Sequence, residues 1–305
     1  MITTFNTMPP PVSRRLRRPS IIAALLALAV AITGCGLAVK LGYNQGSPLA
    51  FRWLDSYVDF DDAQSLRVRT ALDEWFVWHR RTQLSDYADL LARAQSELPG
   101  PATPERMCFW GREIRARLEA GLERAAPTLA EVMPTLTPQQ IANIEKRYAE
   151  KNEAYRDDFL DRVPAKRHKA AVKREVERAE LLYGGLDDAQ REFVARSVAR
   201  SPWNGEIAYS ELVHRQQDVL AMLRRLAANR LGRTEADAEI RAYAQRLERS
   251  PREDYRRYAE RLAEHNCGFA AALHNLTSVE QRRAAARKLK DYEGDLRALA
   301  AEAAG

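Results

Sequence analysis

Cysteine is scarce in this 305-residue chain, with three in all. A disulfide-framework scaffold is therefore excluded. Glycine and proline number only 14 each, which rules out collagen-like and mucin-like classes and any long low-complexity linker. No Gly-x-Ser-x-Gly or His-Glu-x-x-His segment occurs, and no Gly-rich phosphate-cradling loop. Period-two alternation is missing as well, so no strand is expected. Basic residues outnumber acidic ones 48 to 42. Four of the 48 are Arg14, Arg15, Arg17 and Arg18, within an acid-free stretch of 34 residues. Setting that stretch aside leaves 44 basic against 42 acidic, close to neutral. A nucleic-acid partner is not expected of such a balance.

The first 34 residues read as an export signal. Ser13-Arg14-Arg15-Leu16-Arg17-Arg18 precedes Ile21 to Ile32, twelve residues without a charge. That run is too short to cross a bilayer core of about 30 Å and has the length of a signal-peptide apolar region. It ends in Ile32-Thr33-Gly34-Cys35, which resembles the bacterial lipobox. The resemblance implies cleavage before Cys35 and acylation of its thiol. Gly36, rather than Asp, follows the cysteine and favours the outer membrane, facing the periplasm. Both the general and the twin-arginine export routes remain open. Residues 35–48 then form a lipidated tether. Residues 49–305 form one all-helical unit, or two packed halves meeting near 200.

Apolar spacing of three and four residues recurs through the mature chain, as in Ile141, Ile144, Tyr148, Tyr155 and Phe159, or Tyr255, Tyr258, Leu262 and Phe269. Both stripes read as core faces. Capping boxes at Thr137/Gln140, Asp187/Gln190, Ser250/Glu253 and Thr277/Glu280 mark helix starts. The fold class is all-α, without β-sheet: about nine helices, at 61–80, 84–97, 103–132, 138–183, 187–199, 206–230, 234–248, 251–273 and 277–302, in a folded-back or an elongated bundle.

Several motifs resemble those of an uncharacterised proteobacterial lipoprotein family, domain of unknown function 6279. They are Trp53-Leu54-Asp55-Ser56-Tyr57, Asp59-Phe60-Asp61-Asp62 with Gln64, Trp78-His79-Arg80-Arg81, Leu136-Thr137-Pro138-Gln139-Gln140, Tyr183-Gly184-Gly185-Leu186 and Arg215-Gln216-Gln217. The resemblance implies envelope localisation and a helical fold, and it carries no catalytic residues. Leu136-Thr137-x-x-Gln140 also resembles the Leu-Thr-x-x-Gln motif of Spy- and CpxP-type periplasmic chaperones, with looser echoes at Leu186 and Leu276. Each of these segments is equally an ordinary capping box.

Cys108 and Cys267 remain once Cys35 is lipidated. An even pair in an oxidising compartment points to a disulfide, with two free buried thiols as the alternative. His265, Asn266, Cys267 and His274 offer too few ligands at zinc-like spacing, so no metal and no cofactor is expected. The segment Trp75, Phe76, Trp78, His79, Arg80 and Arg81 is the most unusual in composition. On a helix His79 shares a face with Leu72, Trp75 and Phe76, while Trp78 and Arg81 turn elsewhere. A satisfied core histidine is the expected role, with a hydrolase centred on His79 as the alternative. Lys166, Arg167, Lys169, Lys173 and Arg174, with Arg162 and His168, form a basic cluster, which is either a solvated helix face or a surface for anionic headgroups or an acidic partner. The chain is expected to be no enzyme: it binds an unfolded client or an envelope protein, or serves as an accessory subunit of an envelope complex.

Overall fold

The computed structural model describes residues 42–160, 163–229 and 231–302. The signal segment and Cys35 lie outside them. From residue 46 on, the described residues form eleven α-helices, one short 3-10 helix and no strand. In chain order these are α1 (Gly46–Val58), α2 (Asp62–Thr82), α3 (Leu84–Glu97), α4 (Pro104–Val132), the 3-10 turn (Met133–Thr135), α5 (Pro138–Phe159) and α6 (Pro164–Tyr183). They are followed by α7 (Asp188–Arg200), α8 (Gly205–Asn229), α9 (Arg233–Glu248), α10 (Glu253–Leu276) and α11 (Val279–Ala301).

Three differences from the sequence reading account for the larger count. Helix α1 lies partly where the tether was placed, and residues 42–44 are also helical. Its amino end has no side-chain cap, so capping chemistry does not announce it. What fixes it is packing: a Cβ on Gly46 would lie 2.3 Å from Phe76 Cε1, so only glycine lets the backbone come this close. The expected single helix at 138–183 is two helices, because Pro164 occupies the first turn of α6, where its missing N-H is tolerated. The segment Met133–Thr135, with Pro134 inside it, makes the 3-10 turn.

Helix α4 is the spine. Its 29 residues extend about 43 Å at 1.5 Å per residue. On one side Arg67 pairs with Glu131, Trp75 Nε1 donates to the Gly121 carbonyl at 3.0 Å, Arg117 pairs with Asp86 at 2.7 Å, and Arg93 with Glu113 at 3.2 Å. Numbers rise on one strand of this ladder as they fall on the other, so α2 and α3 run end to end, antiparallel to α4. A second ladder joins Arg233 to Glu131, Arg241 to Glu123, Cys267 to Cys108 and Asn275 to Ala102. Helices α9 and α10 therefore cover another side of the spine in the same way. Helix α11 lies along α3, where Glu293 and Arg297 meet Gln95 and Asp89.

The main core gathers Val58, Ala126, Ile144, Leu223, Leu226 and Ile240 from α1, α4, α5, α8 and α9, with Leu136 from the link between the 3-10 turn and α5. It draws on residues from both sides of position 200. A second core, with Val176, Ala179, Val194 and Leu273, joins α6, α7 and α10. Both aromatic stripes face inward as expected: Ile141, Ile144 and Tyr258 are buried, and their partners are half-buried.

Candidate functional site

The helix starts carry the most regular chemistry in the molecule. Among the described residues four capping boxes are formed, at Asp61/Gln64, Thr137/Gln140, Asp187/Gln190 and Ser278/Gln281. Two expected boxes are corrected. Ser250 does not cap α10, whose N-cap position is Arg252. The box expected at Thr277/Glu280 sits one residue later, because Thr277 donates its hydroxyl to the His274 carbonyl and leaves Ser278 to cap α11.

The four glutamines meet in pairs. Gln64 Nε2 donates to Gln140 Oε1 at 3.3 Å, and Gln140 Nε2 donates to Gln64 Oε1 at 2.6 Å. Gln190 and Gln281 do the same at 2.8 and 2.9 Å. Each Nε2 also donates to the carbonyl two residues before its partner's N-cap: Gln64 to Thr135, Gln140 to Asp59, Gln190 to Leu276 and Gln281 to Gly185. Thus a residue that closes its own helix start also ties that start to another one 76 or 91 positions away. The two knots share one design. Asp59, at φ 63°, is the one non-glycine residue with positive φ among the described residues, and it turns the chain from α1 into the first knot.

The tryptophan-rich segment of α2 is an assembled cluster. His79 stacks on Trp75 with ring centres 4.7 Å apart, and its Nδ1 is hydrogen-bonded to the Tyr43 hydroxyl at 2.8 Å. Tyr87 meets the same imidazole edge-on at 5.3 Å. Burial holds the His79 pKa below the ordinary histidine value, which favours the neutral ring. Burial likewise raises the Tyr43 hydroxyl, which stays protonated despite Arg80. Arg80 donates to Asn44 at 2.6 Å and lies over the Tyr43 ring. Trp78 turns less far away than expected, since its ring centre is 5.8 Å from that of Trp75. Arg81 is exposed. The cluster clamps residues 43 and 44 to α2. A second histidine, His274, is buried between the Tyr183 hydroxyl at Nδ1 and the Gly100 carbonyl at Nε2, both at 2.9 Å. A carbonyl only accepts, so Nε2 carries a proton, and Nδ1 shares its hydrogen bond with the Tyr183 hydroxyl.

The basic cluster divides. Arg167 donates to the Leu160 carbonyl and Arg174 lies over the Phe159 ring at 4.9 Å, so both fasten α6 to the end of α5. Lys166, Lys169 and Lys173 are exposed on α6, with Glu177 3.6 Å from Lys173. Arg162 lies outside the described residues. Cys108 and Cys267 are joined, with Sγ atoms 2.09 Å apart and Cα atoms 5.3 Å apart. Among the described residues no group of three or more His, Cys, Asp or Glu is placed to hold a metal, and no helix is long and apolar enough to cross a membrane.

Two features were not anticipated from the sequence. The first is a cleft of about 500 Å³ between α1, α2, α4, α5 and α8. Its floor is core: Val68, Val132, Leu136, Ile144 and Leu223 are all buried. Trp53, Glu74 and Arg124 stand exposed at its rim. The second is a row on α4 at Ile114, Leu118 and Leu122, which are 55%, 70% and 39% exposed. Spacing of three and four residues continues that row through Ala125 to Leu129, both of which line the cleft.

A family model described as "Family of unknown function (DUF6279)" matches residues 56–256. The chain belongs to the DUF6279 family. The matched span includes three of the four capping boxes, the α2 side of the aromatic cluster without Tyr43 and Asn44, and nearly all of the cleft lining. Ser278, Gln281 and α11, which complete the second knot in this DUF6279 member, lie beyond it. No curated protein and no solved structure matches the chain.

Proposed function

We propose that the protein is a periplasmic lipoprotein, held to the outer membrane by acyl chains on Cys35, that binds another envelope polypeptide in a chaperone-like way and does no chemistry on it. The lipobox residues and the lipoprotein family resemblance support the anchoring. The observation that carries binding is the α4 row. Ile114, Leu118 and Leu122 put three large aliphatic side chains in line along about 12 Å of helix, and their neighbours in the row descend into an apolar cleft. A contiguous exposed apolar strip of this kind suits an amphipathic helix or an extended apolar segment laid along it. Polar pairs such as Arg117 with Asp86 and Arg241 with Glu123 flank the spine and form the surrounding rim.

The test is aggregation of a reduced, unfolding client together with capture of envelope partners, comparing the native chain with Leu118→Glu. The native chain should slow aggregation or retain a partner, and the charged variant should lose that effect with its unfolding midpoint unchanged. If neither activity is found in the native chain, or if the variant matches it, the binding reading fails. One stoichiometric partner with no effect on clients would instead favour an accessory subunit of an envelope complex.

A further inference from the structure

The cleft beside α1, which takes up the α4 row at Ala125 and Leu129, adds charge at its mouth that the exposed residues Ile114, Leu118 and Leu122 lack. It is deep, because residues of the main core form its floor, and its walls, including Leu54, Leu72, Trp75 and Leu129, are overwhelmingly apolar. Water in such a space finds few partners, whereas about 500 Å³ is within the range of small-molecule sites. Charge occurs only at the mouth. Glu74 and Arg124 are both exposed there, and among the described residues neither makes an ion pair; Arg124 has only the Trp78 ring, 6.0 Å away. Trp53 adds an indole that is 61% exposed, a side chain suited to the boundary between an apolar interior and a wet surface.

We propose that this cleft binds a single-chain zwitterionic phospholipid, with the acyl chain inside, the phosphate at Arg124 and the ammonium at Glu74. The choice of head group follows from the rim. A fatty acid would satisfy Arg124 and bring its carboxylate towards Glu74. A neutral chain would gain nothing from either charge. A head group carrying one charge of each sign satisfies both, and an acyl chain satisfies the walls.

The test uses the mature chain from residue 35, made without the signal segment and with Cys35→Ser, which keeps detergent out of the assay, and displacement of anilinonaphthalene sulfonate below the micelle concentration of each competitor. Palmitoyl lysophosphatidylethanolamine should displace the dye from one site at least tenfold more tightly than palmitate or methyl palmitate. Arg124→Gln and Glu74→Gln should each erase that preference and leave methyl palmitate unchanged. Ala125→Phe, which fills the cleft, should abolish displacement by all three. If that variant does not fold, Ala71→Leu takes its place. Absence of saturable displacement by the lysophospholipid, palmitate binding as tightly, or a folded cleft-filling variant that still binds would each overturn the proposal. None of these outcomes bears on the Leu118→Glu comparison, so the two readings fail separately.

Discussion

Gln140→Ala should be among the most damaging single polar substitutions in this protein, and its cost can be worked from the first knot. The side chain is 6% exposed. Its Oε1 accepts from the Thr137 amide at 2.9 Å, and its Nε2 donates to the Asp59 carbonyl at 2.9 Å and to Gln64 at 2.6 Å. Truncation strands two backbone groups and breaks the amide pair. A net hydrogen bond contributes about 1 kcal/mol and a stranded buried group costs about 1–3 kcal/mol, so the loss should be about 3–4 kcal/mol. Gln64→Ala should cost a similar amount, because it strands the Asp61 amide and the Thr135 carbonyl. The two costs must not add, because the reciprocal pair is counted in both; the double variant should be about 1–2 kcal/mol less destabilised than the sum. Urea unfolding, followed by helical circular dichroism, measures the cycle. Gln190 with Gln281 should repeat it, whereas Gln140 with Gln190 should be additive to within about 0.5 kcal/mol. Additivity within the Gln64/Gln140 pair would refute the claim that the two helix starts are locked to one another.

The Cys108–Cys267 bond closes 159 residues, worth about 5 kcal/mol at most on chain-entropy grounds, so the double serine variant should melt well below the native protein. A nonreducing digest that yields two alkylatable thiols would remove that expectation. Glu293 accepts from Gln95, Arg297 and Lys290, which hold its carboxyl at about 2 against an ordinary 4.5. The stability it contributes is complete above pH 4.5 and is lost as pH falls towards 2, so Glu293→Gln should flatten that part of the melting-temperature profile. Since burial lowers the His79 pKa, acidification below the ordinary histidine range should begin to loosen the α2 cluster. His79→Ala should unfold more easily and lose this component; a variant that folds normally yet loses a hydrolytic activity would instead make His79 catalytic.

The all-α class was legible because apolar period and capping chemistry act locally. Thr137 with Gln140 and Asp187 with Gln190 are visible as four-residue patterns and form as boxes. Phe60-Asp61-x-x-Gln64 carries the same local pattern as Leu136-Thr137-x-x-Gln140 and forms a box as well. The pairing of the glutamines across 76 and 91 residues is tertiary and leaves no local trace. Helix α1 likewise leaves no local trace in the sequence, since packing of Gly46 on Phe76 positions it and no side chain caps it. The α2 cluster was found by composition, but its partner Tyr43 lies in the stretch read as tether. The cleft was invisible because its lining consists of ordinary core residues. Only the folded arrangement leaves a space among them and brings Glu74 and Arg124 to one mouth.

Anchoring at residue 35 is the premise on which the envelope setting depends. Mass spectrometry of the membrane fraction from cells making the full chain addresses it directly. The amino-terminal peptide should begin at Cys35 and carry a diacylglycerol group. An intact, unmodified precursor in the cytosolic fraction would contradict it.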